Sequence, residues 1–519
     1  MKMRLELFLV VAAVVCAAGK PASKAAAAAA AGRNKLLLIS FDGFRWDYDQ
    51  DVDTPNLDQM VKDGVKAKYI TPPMLTMTSP SHFTTITGRW VEDHEVVHNM
   101  MFDDKTNLKL PHKMTLKKSS WWNKKVLPLW ITAQNQGLKT ASFHFPGGGA
   151  NYSGQVVDRV LFEEFDHPDD NETEWQQNID KVLSWLSEED FHFVALYYGE
   201  PDNVGHAKGP DHPDRKKIIA QIDRTIGYLR EAISRFNLSD SLNVILTSDH
   251  GMTTVKKRPQ VDEIIINKYM DLLKLTSFEI LDYGGFGILT PKTGKEQEVF
   301  DALSKVPNVT VYKKNEFPES FHLAKSERLP PIVVVADLGF NLNSRFIVYV
   351  NKGDHGYHNG EMDMKTIFRA FGPDFKKNFL SEPFDSIHIY PLMCKLLQIE
   401  PAPHNGSLSV TENMLLGPEG PAGTEKPAGT ETPAGTEKPA GTQKPAGTET
   451  PAGTEKPAGT EKPAGTEKPA GTETPAGTEK PAGTEKPAGT EKPDSGGPQG
   501  AGLSVALLLS MLFFMFNVL

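Results

Sequence analysis

Four apolar runs in this chain stop at, or a few residues before, an aspartate or histidine, and this repeated junction constrains the fold more than any other feature. Lys35-Leu36-Leu37-Leu38-Ile39-Ser40-Phe41 stops at Asp42-Gly43. Phe191-His192-Phe193-Val194-Ala195-Leu196-Tyr197-Tyr198 runs on to Asp202 and His206. Leu242-Asn243-Val244-Ile245-Leu246-Thr247 leads to Ser248-Asp249-His250-Gly251-Met252. Arg345-Phe346-Ile347-Val348-Tyr349-Val350 leads to His355. A further run, Thr140-Ala141-Ser142-Phe143, opens into a Gly-rich loop from Pro146 to Gly149. Runs that are apolar at nearly every position are strands buried on both faces, as in parallel sheets covered by helices. Thr173 to Ser187 and Pro213 to Arg235 have the length to be such helices. The expectation is an α/β domain with a mostly parallel central sheet and helices on both faces. Its ligand groups should gather beyond the carboxyl ends of the strands.

The flanking segments bound that domain. Residues 1–19 carry a charged start, an apolar run from Leu7 to Val15 and then Cys16-Ala17-Ala18-Gly19, the order of a secretory signal peptide. Residues 20–33, with the alanine run Ala25 to Ala31, read as a low-complexity spacer, and 34–412 as the catalytic domain. Residues 413–500 contain Pro-Ala-Gly-Thr-Glu-Lys repeated from Pro421 to Lys492. Proline and glycine disfavour a helix there and no large apolar residue is available to bury, so this is expected to be a disordered stalk, O-glycosylated or a plain linker. Residues 501–519 are an apolar, uncharged tail, either a membrane span or a GPI signal with Ser495-Gly496-Gly497 as attachment candidates. Both readings put the domain on the extracellular face of the cell membrane, membrane-anchored and reached through the secretory pathway.

Behind a signal peptide, the sequons at Asn151, Asn171, Asn237, Asn308 and Asn405 are candidate glycosylation sites. Of the two cysteines, Cys16 leaves with the signal peptide and Cys394 is stranded in an apolar, helix-like segment as a buried thiol. A secreted domain without an internal disulfide must rely on a large core or on metals. The net charge is -10, with no long basic block, which excludes a nucleic-acid-binding surface.

At the strand ends stand Asp42, Asp202, His206, Asp249, His250 and His355. Asp202 and His206 are four apart, so one helical turn puts both on one face. A single such residue reads as a cap or a surface side chain, but the full set at successive strand ends reads as a metal crevice. Mixed carboxylate and imidazole ligands suit zinc better than calcium or magnesium. Thr76-Met77-Thr78-Ser79-Pro80-Ser81-His82 supplies hydroxyls that coordination to a metal would activate as nucleophiles. On residue chemistry alone Thr76, Thr78 and Ser79 remain equivalent.

Phe41-Asp42-Gly43-Phe44-Arg45, Thr78-Ser79-Pro80-Ser81-His82, Asp202 with His206, Ser248-Asp249-His250-Gly251-Met252 and Asp354-His355-Gly356 together resemble the ectonucleotide pyrophosphatase/phosphodiesterase family of the alkaline phosphatase superfamily. The likeness spans nearly all of residues 34–412. Tyr48 to Leu57, Trp130 to Gln134 and Met362 to Ala370 resemble its sphingomyelin-cleaving branch most closely. The resemblance implies an alkaline-phosphatase-like fold and two Zn2+ ions per catalytic domain. It assigns Asp202, His206 and His355 to one ion, and Asp42, Asp249, His250 and the Thr78 oxygen to the other. It makes Thr78 the nucleophile that forms a phosphothreonine, and Asn99 a donor to a phosphoryl oxygen. The family often carries glycine after the histidine matching His94, where this chain has Glu95, a departure that bears on the loop before Asn99. A Cys/Ser-x-Pro-x-Arg sulfatase motif is lacking.

For substrate, the resemblance implies a phospholipase C type cleavage of sphingomyelin, and of choline lysophospholipids, at a membrane or micelle surface. Aromatic faces attract quaternary ammonium, and Phe145 and Phe278 match the expected choline-binding rings or else are core residues. A third ring expected near Asp169 is absent. Asp169 is then an ionic partner for choline, or the headgroup differs. The other readings are a nucleotide pyrophosphatase/phosphodiesterase and a non-catalytic glycosylated surface protein. The intact ligand set argues against the last.

Overall fold

The computed structural model describes residues 32–417 except Lys125, 163–170 and 348–350. The expected signal peptide, the stalk beyond residue 417 and the C-terminal tail lie outside the described residues, as do the spacer up to residue 31 and Asp169. The first residues assigned to the stalk belong instead to the folded domain, with Met414 buried and Leu415 bridged to Phe375.

The central sheet takes its strands from across the chain: β1 (Lys35–Asp42), β2 (Gly64–Ala67), β3 (Thr140–Phe143), β4 (Arg159–Leu161), β5 (Phe193–Pro201) and β6 (Leu242–Ser248). A second sheet follows, of β7 (Thr276–Ile280), β8 (Phe286–Pro291), β9 (Val309–Lys313) and β10 (Ile332–Ala336). The chain then returns to the first sheet with β11 (Phe368–Phe371) and β12 (Phe379–Ser381). The eight-stranded sheet runs β12-β2-β11-β6-β1-β5-β3-β4. β4, β3, β5, β1 and β6 are mutually parallel, while β11 pairs antiparallel with β6 and β2. The four-stranded sheet is antiparallel throughout, in the order β7-β8-β10-β9.

The continuous apolar runs do what two-sided burial requires. Leu36 and Leu38 of β1 pack with Phe83, Ile86 and the apolar residues of Ile389–Leu396. Leu37, Ile39 and Phe41 face the opposite core, with Trp175, Ile179 and Val182 of Glu172–Glu188 and Ile219, Ile222 and Ile226 of Pro213–Arg235. Successive side chains of one strand thus feed two cores, as the period of two dictates. Both helices span the segments expected from their sequence, and Cys394 is a buried free thiol.

Two distant segments singled out above are physically joined. Asp49 forms an ion pair with Arg369 of β11, and Lys66 of β2 reaches the same carboxylate at 2.8 Å. Arg369 also donates to the Leu57 carbonyl at 2.7 Å.

Where a strand is expected at Arg345–Val350, the described part does not form one. Arg345 and Phe346 are bends and Ile347 has no regular structure, with Phe346 65% and Ile347 40% exposed, while 348–350 lie outside the described residues. His355 is delivered instead by the two-residue strand Gly353–Asp354, antiparallel to Thr253–Thr254.

Candidate metal centre

Strand register brings the acidic groups together. In the parallel ladders Asp42 lies opposite Pro201 and Phe41 opposite Ser248. Asp202 and Asp249 therefore follow directly at the edge where Asp42 closes β1. Asp202 opens the helix Asp202–Lys208, and one turn later His206 points the same way, its Nε2 3.2 Å from Asp202 Oδ2. His250 comes one residue after Asp249. The Thr253–Thr254 pairing then lays His355 over it, the two rings stacked at 3.6 Å between centroids. Gly43 makes room for this approach. Its φ is +66°, and a Cβ there would lie 2.9 Å from Asp202.

Two groups result, Asp202/His206/His355 and Asp42/Asp249/His250, each with ligand atoms within 4.8 Å of one another. Their hydrogen bonding is directional. Asp249 Oδ1 accepts from the amides of Gly43 (3.0 Å) and His250 (2.9 Å) and from Ser248 Oγ (3.2 Å). Asp42 Oδ2 accepts from Tyr197 at 2.6 Å. The opposite oxygens, Asp42 Oδ1 and Asp249 Oδ2, have no hydrogen-bond partner although buried, and neither does Asp202 Oδ1. Buried carboxylate oxygens without donors are costly unless a cation meets them.

The imidazoles are oriented to match. Nδ1 of His206 is 3.0 Å from the Gly353 carbonyl, that of His250 2.9 Å from Gly251 O, and that of His355 2.8 Å from Thr76 O. At His250 and His355 an Nδ1–H donated to a carbonyl fixes the tautomer and leaves Nε2 as the ligand atom. His206 Nδ1 is also met by the Asn351 side-chain amide at 2.6 Å, and its Nε2 is the atom turned to Asp202. The Nε2 atoms then face carboxylates at 3.2–3.7 Å. Something positive belongs between such groups, a proton or a metal ion. Burial opposes a charge on His206, but Asp202 and Asp354 push it up to about 10. Burial, with the neighbouring His250, takes His355 down to about 3. Asp42 is driven well up by burial and by the charges of Asp249 and Asp202. A crowd of carboxylate oxygens and imidazole nitrogens around two points fits divalent ions.

The three candidate hydroxyls now differ. Thr78 begins the helix Thr78–Thr87, and its Oγ1 lies 3.4 Å from His250 Nε2. Asn99 accepts from the Ser79 amide at 2.8 Å and turns its Nδ2 to Thr78 Oγ1 at 3.4 Å. Thr76 instead donates to the Tyr357 carbonyl at 2.9 Å, and Ser79 Oγ is buried without a hydrogen-bond partner. Glu95, standing where the resemblance expects glycine, has φ +64°, the left-handed backbone that glycine adopts readily.

Phe145 and Phe278 are both sealed in the core. Phe145 meets His82 edge-on at 5.0 Å, and Phe278 packs on Phe102 with the Lys109 ammonium 5.0 Å above its ring. The five sequon asparagines are exposed. Three supporting residues were not singled out from sequence. Tyr197 holds Asp42. His82 bridges the Thr78 carbonyl and Ser40 Oγ, each at 2.8 Å. Tyr283 hydrogen-bonds Asn99. Only His82 had a local signal, its spacing of four from Thr78.

Residues 36–358 match the family described as type I phosphodiesterase / nucleotide pyrophosphatase. Human ectonucleotide pyrophosphatase/phosphodiesterase family member 7 is 51% identical over 385 residues, 74% of this chain and 84% of that protein. Human member 5 is 36% identical, over 74% of this chain and 78% of its own length. The structure of murine member 5 superposes with a TM-score of 0.69 at 36% identity, covering 74% of this chain and 100% of that one. A second structure, of an inactive threonine-to-alanine form of murine member 5 in complex with AMP, superposes equally at 35% identity.

Proposed function

The chain belongs to the type I phosphodiesterase / nucleotide pyrophosphatase family and is a phosphoric diester hydrolase; on that premise we propose that it is a zinc-dependent phosphodiesterase of phospholipase C type, cleaving sphingomyelin to ceramide and phosphocholine. The observation that carries the chemistry is the Thr78 hydroxyl at the junction of His250 and Asn99, beside buried carboxylate oxygens that lack donors.

In this reading Asp202, His206 and His355 would hold one zinc ion, and Asp42, Asp249, His250 and Thr78 would hold the other; bound there, zinc would supply Lewis-acid charge for phosphoryl transfer. Thr78 Oγ1 forms a bond to phosphorus as the bond to the ceramide oxygen breaks, and ceramide leaves with a proton. Water then breaks the Thr78–phosphorus ester and releases phosphocholine. Asn99, fixed through Ser79, directs its amide N–H at the reacting centre. The inactive threonine-to-alanine form of the murine relative supports a threonine nucleophile.

The 51% identity to human member 7, with the branch resemblance, supports the sphingomyelin assignment, and choline lysophospholipids are proposed as further substrates. Exposure of all five sequon asparagines supports glycosylation, and the signal-peptide and apolar-tail readings of the sequence support an extracellular, membrane-anchored location. The AMP complex of the murine relative favours a second reading, nucleotide diesters. Sphingomyelin, lysophosphatidylcholine and a nucleotide diester assayed side by side on purified protein decide between them. Preferential release of phosphocholine is expected, and faster nucleotide hydrolysis would replace the first reading with the second. Thr78→Ala should lower kcat by about 10³-fold or more, as loss of a nucleophile does. Full activity in that variant would end the mechanism.

A further inference from the structure

Glu95 belongs to neither ligand group, yet its backbone and side chain are both held in an unusual way. Residues with a Cβ other than asparagine and aspartate rarely enter the left-handed region that Glu95 occupies. The carboxylate is buried, and the three donors that reach it all come from one loop. Oε2 takes Ser326 Oγ at 2.6 Å and the Arg328 amide at 3.2 Å, while Oε1 takes the Glu327 amide at 2.9 Å. The Arg328 guanidinium returns the contact by donating to the Glu95 carbonyl at 2.6 Å. It also donates to the carbonyls of Trp121 (2.7 Å) and Ser120 (2.9 Å) and lies 4.1 Å above the Trp121 ring. Trp121 closes the circuit, its Nε1 donating to the His98 carbonyl at 3.2 Å.

The segment from Glu95 to His98 is therefore gripped at both ends, and the next residue is Asn99. Asn99 has one side-chain oxygen bound to the Ser79 amide and its nitrogen facing Thr78. A strained backbone persists only where its surroundings over-determine it, and such residues cluster at functional sites. We infer that Glu95 and Arg328 form a clamp that positions Asn99 against Thr78, making Glu95 a positioning residue for phosphoryl transfer. A misplacement of about 1 Å at a reacting group lowers rate by roughly 10²-fold, so a loop held this tightly has a kinetic consequence as well as a structural one.

The inference rests on the reading of Thr78 as nucleophile, and the test separates the two. Full-length protein is assayed with a soluble chromogenic diester, bis(p-nitrophenyl) phosphate, so the outcome does not depend on the lipid. Glu95→Gly permits the same φ but removes the carboxylate, and should lower kcat by about 10-fold to 100-fold with little change in KM. Glu95→Gln, which keeps one acceptor oxygen, should recover part of that loss. Arg328→Lys, which loses the planar fork, should resemble Glu95→Gly. If Glu95→Gly does not fold, Ser326→Ala removes a single donor and carries the same test with a smaller fall in kcat. Unchanged kcat in the folded variants, or a loss confined to melting temperature, overturns the clamp. Full activity in Thr78→Ala would instead remove the nucleophile assignment beneath it.

Discussion

Asp42 shows how a single neighbour orients a proposed ligand. Tyr197 donates to Oδ2 at 2.6 Å, which leaves Oδ1 turned into the cluster without a donor. Hydrogen-bond partners behind metal ligands typically contribute 10–100-fold in affinity. Tyr197→Phe keeps the ring that packs 5.3 Å from His82 and removes only the hydroxyl. Zinc affinity, read from a metal-buffered titration, should fall by about 10–100-fold; an unchanged titration would mean that Asp42 is held without this bond. No residue-level pattern announced Tyr197, because its partner lies 155 positions away. The choice among Thr76, Thr78 and Ser79 was hidden for the same reason. Thr76 is disqualified by Tyr357, 281 positions distant, and family resemblance rather than local chemistry singled out Thr78.

At the scale of elements, the junction of β1 with its two parallel neighbours assembles most of the ligands, and Gly43 is its tightest point. Alanine there must hold φ near +66° and place a Cβ 2.9 Å from Asp202 Cα, Cβ and Oδ1. The left-handed backbone alone costs about 1–2 kcal/mol for a residue with a Cβ. Gly43→Ala should therefore lose at least that much in denaturant unfolding. It should also lose activity, because the nearest atoms to yield are those of a proposed ligand. Wild-type stability would mean that the turn shifts freely. The strands that build this junction were legible, since burial on both faces leaves a run of apolar residues in the chain itself. In the antiparallel second sheet only Ile332–Ala336 carries that mark, a run not singled out from sequence, while Thr276–Ile280, Val309–Lys313 and β11 mix polar with apolar residues. The Arg345–Val350 run has the composition of a strand, yet Phe346 and Ile347, among its described residues, are exposed and lie in no strand. The i,i+4 pair Asp202 and His206 was readable because a helix turn is a local object.

For the molecule as a whole, the described residues form no disulfide, and Cys394 is a buried free thiol whose ionisation burial pushes up to about 12. Stability must then come from the apolar clusters on either face of the central sheet, from a third at the second sheet, and from whatever satisfies Asp42, Asp202 and Asp249. Three buried carboxylates with unpartnered oxygens weaken a fold, and a ligand that binds only the folded state returns stability by mass action. At a free ion concentration about 100 times its dissociation constant, that term is about 2.7 kcal/mol per site. Chelation should lower the melting temperature by several degrees and abolish hydrolysis, and zinc should restore both. A thiol reductant should leave the melting temperature where it was, since no cross-link is present among the described residues. The two treatments together discriminate between sources of stability. A fall on reduction would point to a covalent tie involving Cys394. A melting curve indifferent to chelation, with activity intact, would mean that the two clusters are closed by protons rather than metal, and the phosphodiesterase mechanism would have to be rebuilt on Thr78 and Asn99 alone.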